Sequence, residues 1–498
     1  MLNHKLYWGD LHSHCAISYG HGTVEQAIAR AAQQLDFCSV TGHAFWPDMP
    51  TDREQYGDII DYHNVGFSTL AGNWDKLIQL QKEGSKDNKF LALPSYEWHS
   101  MKYGDHNLYV PGPDMDLCDQ PDLPMLREMM AKAGGFAIPH HIGYAAGYRG
   151  INWKHFKEDV SPFVEIFSLH GCSCDEYSPY PMLHDMGPRD WGSTAEAGWS
   201  MGHKFGIVGG TDHHAAYPGS HGDGRMGVFA ESLTRESLFK AFKERRVYAA
   251  TGDKIDARMY IDDAFVGDVI KNGGKRKVKI KVQSMDALDQ VYVIKNGRII
   301  KRIIPTTHSR CSSGKYRLRV YWGWGKNSER HDWNANLQLT NGCIEQVEPC
   351  FSGQAVVAPN TNGVNNHKEA LLPHEIVSTD DKLCTWKSIT SGNITMRHPT
   401  VQSVSMLIDS NIDGNVTLDV NGHKIEHKLE DLLHKGRSHY MRGWLSEAVR
   451  FGPLVPIEDC VAEMEFEDEP ENDTDVYRLQ VSQFNGQQAW LSPIWVER

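Results

Sequence analysis

The chain has 498 residues, of which 23% are charged, and its formal net charge is −13 at pH 7. This length predicts two or three domains, and the acidic balance argues against non-specific binding to nucleic acid. No apolar run approaches the roughly 20 residues that a membrane-spanning helix needs, so we expect no association with a membrane.

The first half of the chain alternates short apolar runs with amphipathic segments. The apolar runs, from residues 5–9 to residues 205–208, are hydrophobic on both faces, which is typical of buried parallel strands. Thr23 to Gln26 form a capping box that predicts a helix ending near Leu35. Further helices are predicted at 74–82, 123–132 and 234–246. Strands alternating with helices indicate an α/β barrel or a doubly wound sheet.

Histidine residues collect where these apolar runs end, and 17 of the 26 lie in the first 221 residues. His12 and His14 are two apart on an extended segment, so both side chains point the same way and can reach one metal ion. Burying so many ionisable groups is costly unless they are paired or metal-bound. We therefore predict a metal site. The other strand-end clusters contain His43, Glu97, His99, His140, His141, His170, Asp212, His213 and His214.

After about residue 252 the pattern becomes β-rich. Residues 277–282 alternate between apolar and charged, as a half-buried strand does. Asn296-Gly297 and Asn421-Gly422 each separate two β-like runs and indicate hairpins. Residues 352–390 are rich in Asn, Gly and Pro and predict a long loop or insertion. We therefore expect an α/β domain at 1–252 and a region of one or two β-sandwiches at 253–498.

Several sequence phrases occur in a diagnostic order. DLHSH, VTGH, HNLYV, IPHH and TDHH together resemble the polymerase-and-histidinol-phosphatase (PHP) superfamily. Longer phrases, including YWGDLHSH, GDHNLYVPG and RRVYAATGD, resemble a large two-part subfamily of mostly unassigned function. The strong part of the resemblance covers about residues 5–255. It implies a distorted (β/α)7 barrel with a centre of two or three divalent ions, of Zn, Mn or Fe.

The resemblance also implies which residues bind these ions. For the first two ions, which share a bridging Glu97, the implied ligands are His12, His14, Glu97, Asp212, His106 and His140. His141 is an alternative to His140. The implied ligands of a third ion are His43 and His214, with His21 as a further candidate. Gly42 stands where the superfamily has an acidic residue, and we expect its small size to open space beside the third ion.

Three further residues are candidates for catalysis. Arg149 follows the IPHH strand and could hold an anionic substrate group, because a guanidinium pairs well with phosphate oxygens. A loop-stabilising salt bridge is the alternative for Arg149. His213 and His170 are candidate general acids, and a supporting position behind the metal ligands is the alternative for each of them.

The resemblance implies a metal-dependent hydrolase that uses a metal-bridging hydroxide, and a phosphoester is the favoured substrate class. Hydrolysis of a carboxylic ester, lactone or amide is the alternative, and a non-catalytic metal-containing protein that binds carbohydrate is a second one. The expected partner is a small anionic molecule, and homo-oligomer formation stays open. Ten Cys residues without a compact secreted framework, and no N-terminal signal segment, indicate reduced thiols in the cytoplasm. A secreted protein whose signal has been removed is the alternative.

Overall fold

The computed structural model describes residues 4–305, 309, 311, 314–326, 329–354, 373–392 and 401–498. Helix α1 begins with the predicted capping box, in which the Thr23 hydroxyl accepts from Gln26 N–H and the Gln26 side chain accepts from Thr23 N–H. The predicted helix at 74–82 is the end of a much longer helix, α2. The helices are α1 (Val24–Gln34), α2 (Arg53–Glu83), α3 (Leu123–Lys132), α4 (Ala195–Ser200), α5 (Arg235–Lys243) and α6 (Leu429–Leu432).

The first half of the chain is a mixed α/β unit whose strands are short. The strands are β1 (Lys5–Asp10), β2 (Phe37–Ser39), β3 (Gly42–Phe45), β4 (Leu91–Leu93), β5 (Ser95–Trp98), β6 (His106–Tyr109), β7 (Phe136–Pro139), β8 (Phe163–Ser168), β9 (Gly171–Cys172), β10 (Gly206–Gly209), β11 (Arg225–Ala230) and β12 (Val247–Ala250). The pairs β1–β2, β2–β4, β3–β5 and β8–β10 are parallel. These pairs confirm the α/β prediction and confirm parallel pairing for these strands, but β7, at the predicted parallel run 136–138, pairs with β6 in antiparallel fashion.

The closed (β/α)7 barrel is not seen as one hydrogen-bonded sheet in the described residues. These strands instead lie in three sheets, and β5–β6 and β6–β7 are antiparallel. The ladders are interrupted because the strands are only a few residues long. Their register also shifts, between His43 and Phe45 in one sheet and between Val208 and Gly209 in another.

The second half of the chain is almost entirely β. Its strands are β13 (Asp256–Ile261), β14 (Ala264–Phe265), β15 (Val269–Lys271), β16 (Arg276–Gln283), β17 (Leu288–Lys295), β18 (Arg298–Ile303), β19 (Lys315–Trp324), β20 (Arg330–Leu339), β21 (Gly342–Cys350), β22 (His374–Thr379), β23 (Leu383–Ser391), β24 (Gln402–Ser410), β25 (Asn415–Val420), β26 (His423–Lys428), β27 (Arg437–Tyr440), β28 (Glu447–Phe451), β29 (Val455–Pro456), β30 (Val461–Asp468), β31 (Thr474–Gln483), β32 (Gln488–Leu491) and β33 (Ile494–Glu497). Both predicted hairpins are present, as β17–β18 and β25–β26. Asn and Gly in each turn have positive φ, as a type I′ turn requires.

A β-sandwich core lies between two sheets, one built around β19 and β24 and the other around β20 and β23. Trp322 and Trp386 stack across it with their ring centroids 4.9 Å apart. The prediction of a loop at 352–390 is wrong over the residues that form β22 and β23. Cys384 and Trp386 of β23 face inward and are buried in this core. Residues 355–372 of that predicted loop lie outside the described part of the chain.

The sheet that contains β1 continues into the second half of the chain. β12 pairs with β32, so that Tyr248 lies opposite Leu491. The C-terminal strands therefore extend the sheet that carries the first histidine cluster, and the division at residue 252 stays a prediction. None of the helices in the described ranges is long and apolar enough to cross a membrane.

Candidate metal centre

Asp10, at the end of β1, holds together the loop that follows β1 and the loop that follows β10. Its carboxylate accepts from the backbone N–H groups of His12 at 2.9 Å, Thr211 at 3.1 Å and Gly219 at 2.8 Å. The His14 N–H also donates to the His213 carbonyl at 2.9 Å. Burial raises the pKa of Asp10 to about 6. These bonds set the position of His12 and His14 relative to Asp212 and His214.

Glu97 is the centre of the cluster. Its Oε2 lies 3.0 Å from His43 Nδ1, 3.3 Å from His14 Nε2 and 3.7 Å from His12 Nε2. Its Oε1 lies 2.9 Å from His140 Nε2. His99 Nδ1 also lies 3.4 Å from Oε1. One buried carboxylate thus faces five imidazoles, with different imidazoles on its two oxygens. This arrangement is suited to a carboxylate that bridges two cations.

Asp212 is a second buried carboxylate that contacts both His12 and His14. Its Oδ1 lies 3.0 Å from His14 Nε2 and 3.3 Å from His12 Nε2, and its Oδ2 lies 2.9 Å from His170 Nε2. Burial alone would raise the pKa of Asp212, but the surrounding imidazoles hold it well below its usual range. Asp212 is therefore ionised and has imidazoles on both of its oxygens.

The residues assigned to a third ion also come together. His43 Nε2 lies 3.2 Å from His214 Nε2, and the His14 and His43 rings stack with centroids 4.0 Å apart. The backbone N–H of His21 donates to the His214 carbonyl at 2.8 Å, which places His21 beside this group. Burial lowers the pKa of both His43 and His214 well below the ordinary value. Both imidazoles are thus neutral, which is the form that binds a metal.

His106 has different contacts. Its Nδ1 donates to the Gly104 carbonyl at 2.9 Å, and burial together with Arg127 lowers its pKa to about 4. Its ligand role stays a prediction. The ligand atoms of Glu97 and His140 instead lie within 4.8 Å of those of Asp105 and His141.

Sequence reasoning missed two carboxylates of the centre. The Asp105 carboxylate lies 3.4 Å from His141 Nε2 and 3.3 Å from His99 Nδ1. Glu165 Oε2 accepts from His12 Nδ1–H at 2.8 Å and so directs His12 Nε2 toward the cluster. Each left a signal, because Asp105 directly precedes His106 and Glu165 is the one charged residue in the apolar strand β8.

The residues present fit divalent cations. Among the described residues, His12 Nε2, both ring nitrogens of His14 and Glu97 Oε2 are buried without a hydrogen-bond partner. The carboxylates of the cluster are all at most 3% exposed, and they are Glu97, Asp105, Glu165 and Asp212. So many buried anions and unused nitrogen lone pairs are costly without positive charge to balance them.

Arg149 lies at the edge of the cluster with a positive φ of 67°. Its Nε donates to Asp105 Oδ2 at 2.8 Å, and its Nη2 donates to the same oxygen and lies 2.8 Å from His99 Nδ1. The guanidinium also lies over the Trp46 ring, 4.9 Å from its centroid. Arg149 thus makes the salt bridge that the sequence allowed as its alternative role, and substrate contact by Arg149 stays a prediction.

His213 lies away from the Glu97 cluster. Its Nδ1 accepts from the Ala215 N–H at 3.1 Å, and its Nε2 is 4.0 Å from Asp223 Oδ2. The backbone of Gly353 packs so closely on this ring that a Cβ at Gly353 would lie 2.5 Å from His213 Cε1. His213 therefore lies at the contact between the α/β unit and the segment that follows β21. Its catalytic role stays a prediction.

Gly42 does not open space beside the cluster as expected. A Cβ at this position would lie 2.5 Å from Leu70 Cδ1, on helix α2. The missing side chain makes room for the packing of α2 on β3.

Comparison with known proteins gives short or distant matches. A family model described as "Protein of unknown function (DUF3604)" matches residues 220–286. An uncharacterised protein of Chlamydia pneumoniae is 25% identical over 182 residues, which cover 33% of this chain and 29% of that protein. An uncharacterised protein of Chlamydia muridarum is 24% identical over 173 residues, which cover 31% and 28%. The matched segment thus spans less than a third of these relatives.

One solved structure is also similar. It is a two-domain protein of Bacteroides vulgatus described as containing a predicted PHP-like metal-dependent phosphoesterase. The sequence identity is 16%, the TM-score is 0.33, and the match covers 58% of this chain and 78% of that one. A TM-score this low does not establish a shared fold.

Proposed function

We propose that this chain is a metal-dependent hydrolase that acts on a phosphoester of a small anionic molecule. The observation that carries the proposal is the buried cluster in which Glu97 and Asp212 each present both oxygens to different imidazoles. A mixed set of imidazole and carboxylate ligands suits two or three ions of Zn, Mn or Fe. Part of the same proposal is that residues 1–252 form the distorted (β/α)7 barrel of the PHP superfamily.

Divalent ions held in such a site lower the pKa of coordinated water and polarise a phosphoryl or carbonyl oxygen. The residues of the chain then have distinct tasks. Glu97 and Asp212 would hold the ions through their carboxylate oxygens, and Glu165 orients His12 by accepting from its Nδ1–H. Arg149, which is partly buried, holds the fully buried Asp105 in place through an ion pair.

Charge favours an anionic substrate. The cluster contains four buried carboxylates, one of which is neutralised by Arg149. Three divalent ions would therefore leave the site with a net positive charge, which attracts a phosphoester more strongly than a neutral ester. With Arg149 bonded to Asp105, this positive charge is the main argument for a phosphoester over a carboxylic ester or amide.

The test combines metal analysis with a substrate panel. The full chain, loaded with Zn, Mn or Fe, should hold at least two ions and hydrolyse phosphoesters, and inorganic phosphate should inhibit it. His14→Gln should lose metal and activity, because His14 Nε2 lies within 3.3 Å of both Glu97 and Asp212. His203→Gln is the matched control, because His203 also pairs with a carboxylate, Glu158, at 2.9 Å, but outside the cluster. Efficient cleavage of carboxylic esters or amides without phosphatase activity would overturn the substrate class, and fewer than two ions per chain would overturn the metal site.

A further inference from the structure

One carboxylate oxygen of Asp212 faces a histidine outside the implied ligand set. That histidine is His170, whose Nε2 lies 2.9 Å from Asp212 Oδ2, whereas Asp212 Oδ1 faces His12 and His14. The ligand atoms of His141, His170 and Asp212 all lie within 4.8 Å of one another. Two imidazoles and one carboxylate therefore converge at a position on the far side of Asp212 from the first histidine pair.

We propose that His141, His170 and Asp212 hold a divalent ion of their own, so that Asp212 bridges this ion to the one bound by His12 and His14. The site extends the proposed function, because it shares Asp212 with the proposed centre. Two imidazoles and a carboxylate with open positions suit Zn²⁺ or Fe²⁺. Asp212 would then act on this side of the cluster as Glu97 does on the other.

The surroundings of His170 are those of a metal-binding histidine. Tyr144, which is fully buried, has its hydroxyl 2.6 Å from His170 Nδ1. A histidine that binds a metal through Nε2 commonly donates its Nδ1–H to an oxygen, which fixes the orientation of the ring. The Tyr144 oxygen is placed to accept that bond and to aim Nε2 at Asp212.

His141 supplies an unused ligand atom. The residue is 4% exposed, and its Nδ1 has no hydrogen-bond partner within the described part of the chain. Its ring centroid lies 4.6 Å from that of His170. A buried imidazole nitrogen without a partner is costly, and a cation would compensate for this cost.

The group lies beside a partly exposed residue. His184 stacks on His170 with centroids 4.5 Å apart, and its side chain is 40% exposed. With three protein ligands and one side toward the surface, an ion here would keep a position for water or substrate, as catalytic zinc sites do and closed structural sites do not. The class of ligand bound at that position would be an oxygen anion of the substrate.

The competing interpretation is an ordinary hydrogen bond in which His170 Nε2–H donates to Asp212, with no ion present. His170→Gln separates the two, because a glutamine amide can still donate to Asp212 but is a poor ligand for zinc. Metal-free full-length chain would be titrated with Zn²⁺ and with Co²⁺, and bound ions counted by elemental analysis after gel filtration. We expect His170→Gln and His141→Gln each to hold one ion fewer per chain than wild type.

Two further variants complete the test. Tyr144→Phe removes one hydroxyl and should keep the ion count at saturation while weakening the affinity for one ion by roughly tenfold to a hundredfold. This variant decides the matter if His170→Gln fails to fold by circular dichroism. His184→Gln, the matched control on the outer face of His170, should bind ions as wild type does.

The two proposals fail in different ways. If wild type holds at least two ions and both His170→Gln and Tyr144→Phe bind them with wild-type number and affinity, the separate ion is overturned and the proposed function stands. If wild type itself holds fewer than two ions, the metal centre of the proposed function is overturned, and the separate ion with it.

Discussion

Replacement of Arg149 by Met should destabilise the chain strongly, because it leaves a buried carboxylate without its cation. Asp105 is fully buried and receives both the Nε and the Nη2 of Arg149 on one oxygen. Burial alone would raise the pKa of Asp105, but Arg149 holds it well below its usual range. Breaking a buried pair by removing one partner costs about 3–5 kcal/mol, and loss of the contact with Trp46 adds about 0.5–2 kcal/mol. Met keeps the Cβ at a position with positive φ, so the backbone strain is the same in both proteins.

The assay is urea unfolding of the metal-loaded chain, followed through the midpoint of the transition that reports on the α/β unit. Arg53→Met is the matched control, because Arg53 Nη2 pairs with Asp61 at 2.6 Å but both side chains are at least 60% exposed. Arg53→Met should lower the free energy of unfolding by about 0–1 kcal/mol. The double variant Arg149→Met/Asp105→Asn should recover about 1.5–3 kcal/mol relative to Arg149→Met, since it removes the unpaired charge. A loss no larger in Arg149→Met than in the control would refute the reasoning and would favour a direct role of Arg149 with substrate.

Three further predictions concern packing, pH and metal. Gly42→Ala should lower the free energy of unfolding by about 1–3 kcal/mol, because the added methyl group overpacks against Leu70. Adding Leu70→Ala to the same chain should restore part of the lost stability in thermal unfolding. An unchanged unfolding midpoint in Gly42→Ala would contradict the contact. Burial alone would raise the pKa of Asp253, but Arg319, whose Nη2 lies 2.7 Å from both of its oxygens, holds it far below its usual range. The stability that this pair contributes is complete above the unfolded-state pKa of about 3.9 and is lost as the pH falls below it. From pH 5 to pH 2 the unfolding midpoint of Asp253→Asn should therefore fall less than that of wild type. An equal fall of the midpoint in both proteins would speak against the pair. Suppose that the free metal concentration is about a hundredfold above the dissociation constant. Removing the bound ions with a chelator should then lower the free energy of unfolding by about 2.7 kcal/mol. An unfolding midpoint that does not fall with the chelator and does not rise when metal is added back would exclude a bound ion.

Local signals predicted the secondary structure where the chain itself supplies the interactions. The Thr23 capping box and the two Asn-Gly turns depend on contacts within a few residues, and all three are present. Strand β23 was missed because its burial depends on a facing sheet, where Trp386 packs on Trp322. The start of helix α2 was missed because its early turns carry few apolar residues, so that little periodicity marks them.

The sequence by itself determined that imidazoles and carboxylates collect at strand ends, because the period of two in extended backbone and the apolar runs before each cluster are local properties. It also determined the β-rich character of the second half. Only the tertiary structure decided which groups face one another. It placed Glu165 behind His12, paired Arg149 with Asp105, and brought the ligand atoms of His141, His170 and Asp212 within 4.8 Å of one another. Those contacts join residues many positions apart along the chain, and their geometry is fixed by loop conformation and packing, for which the residue pattern carries no local signal.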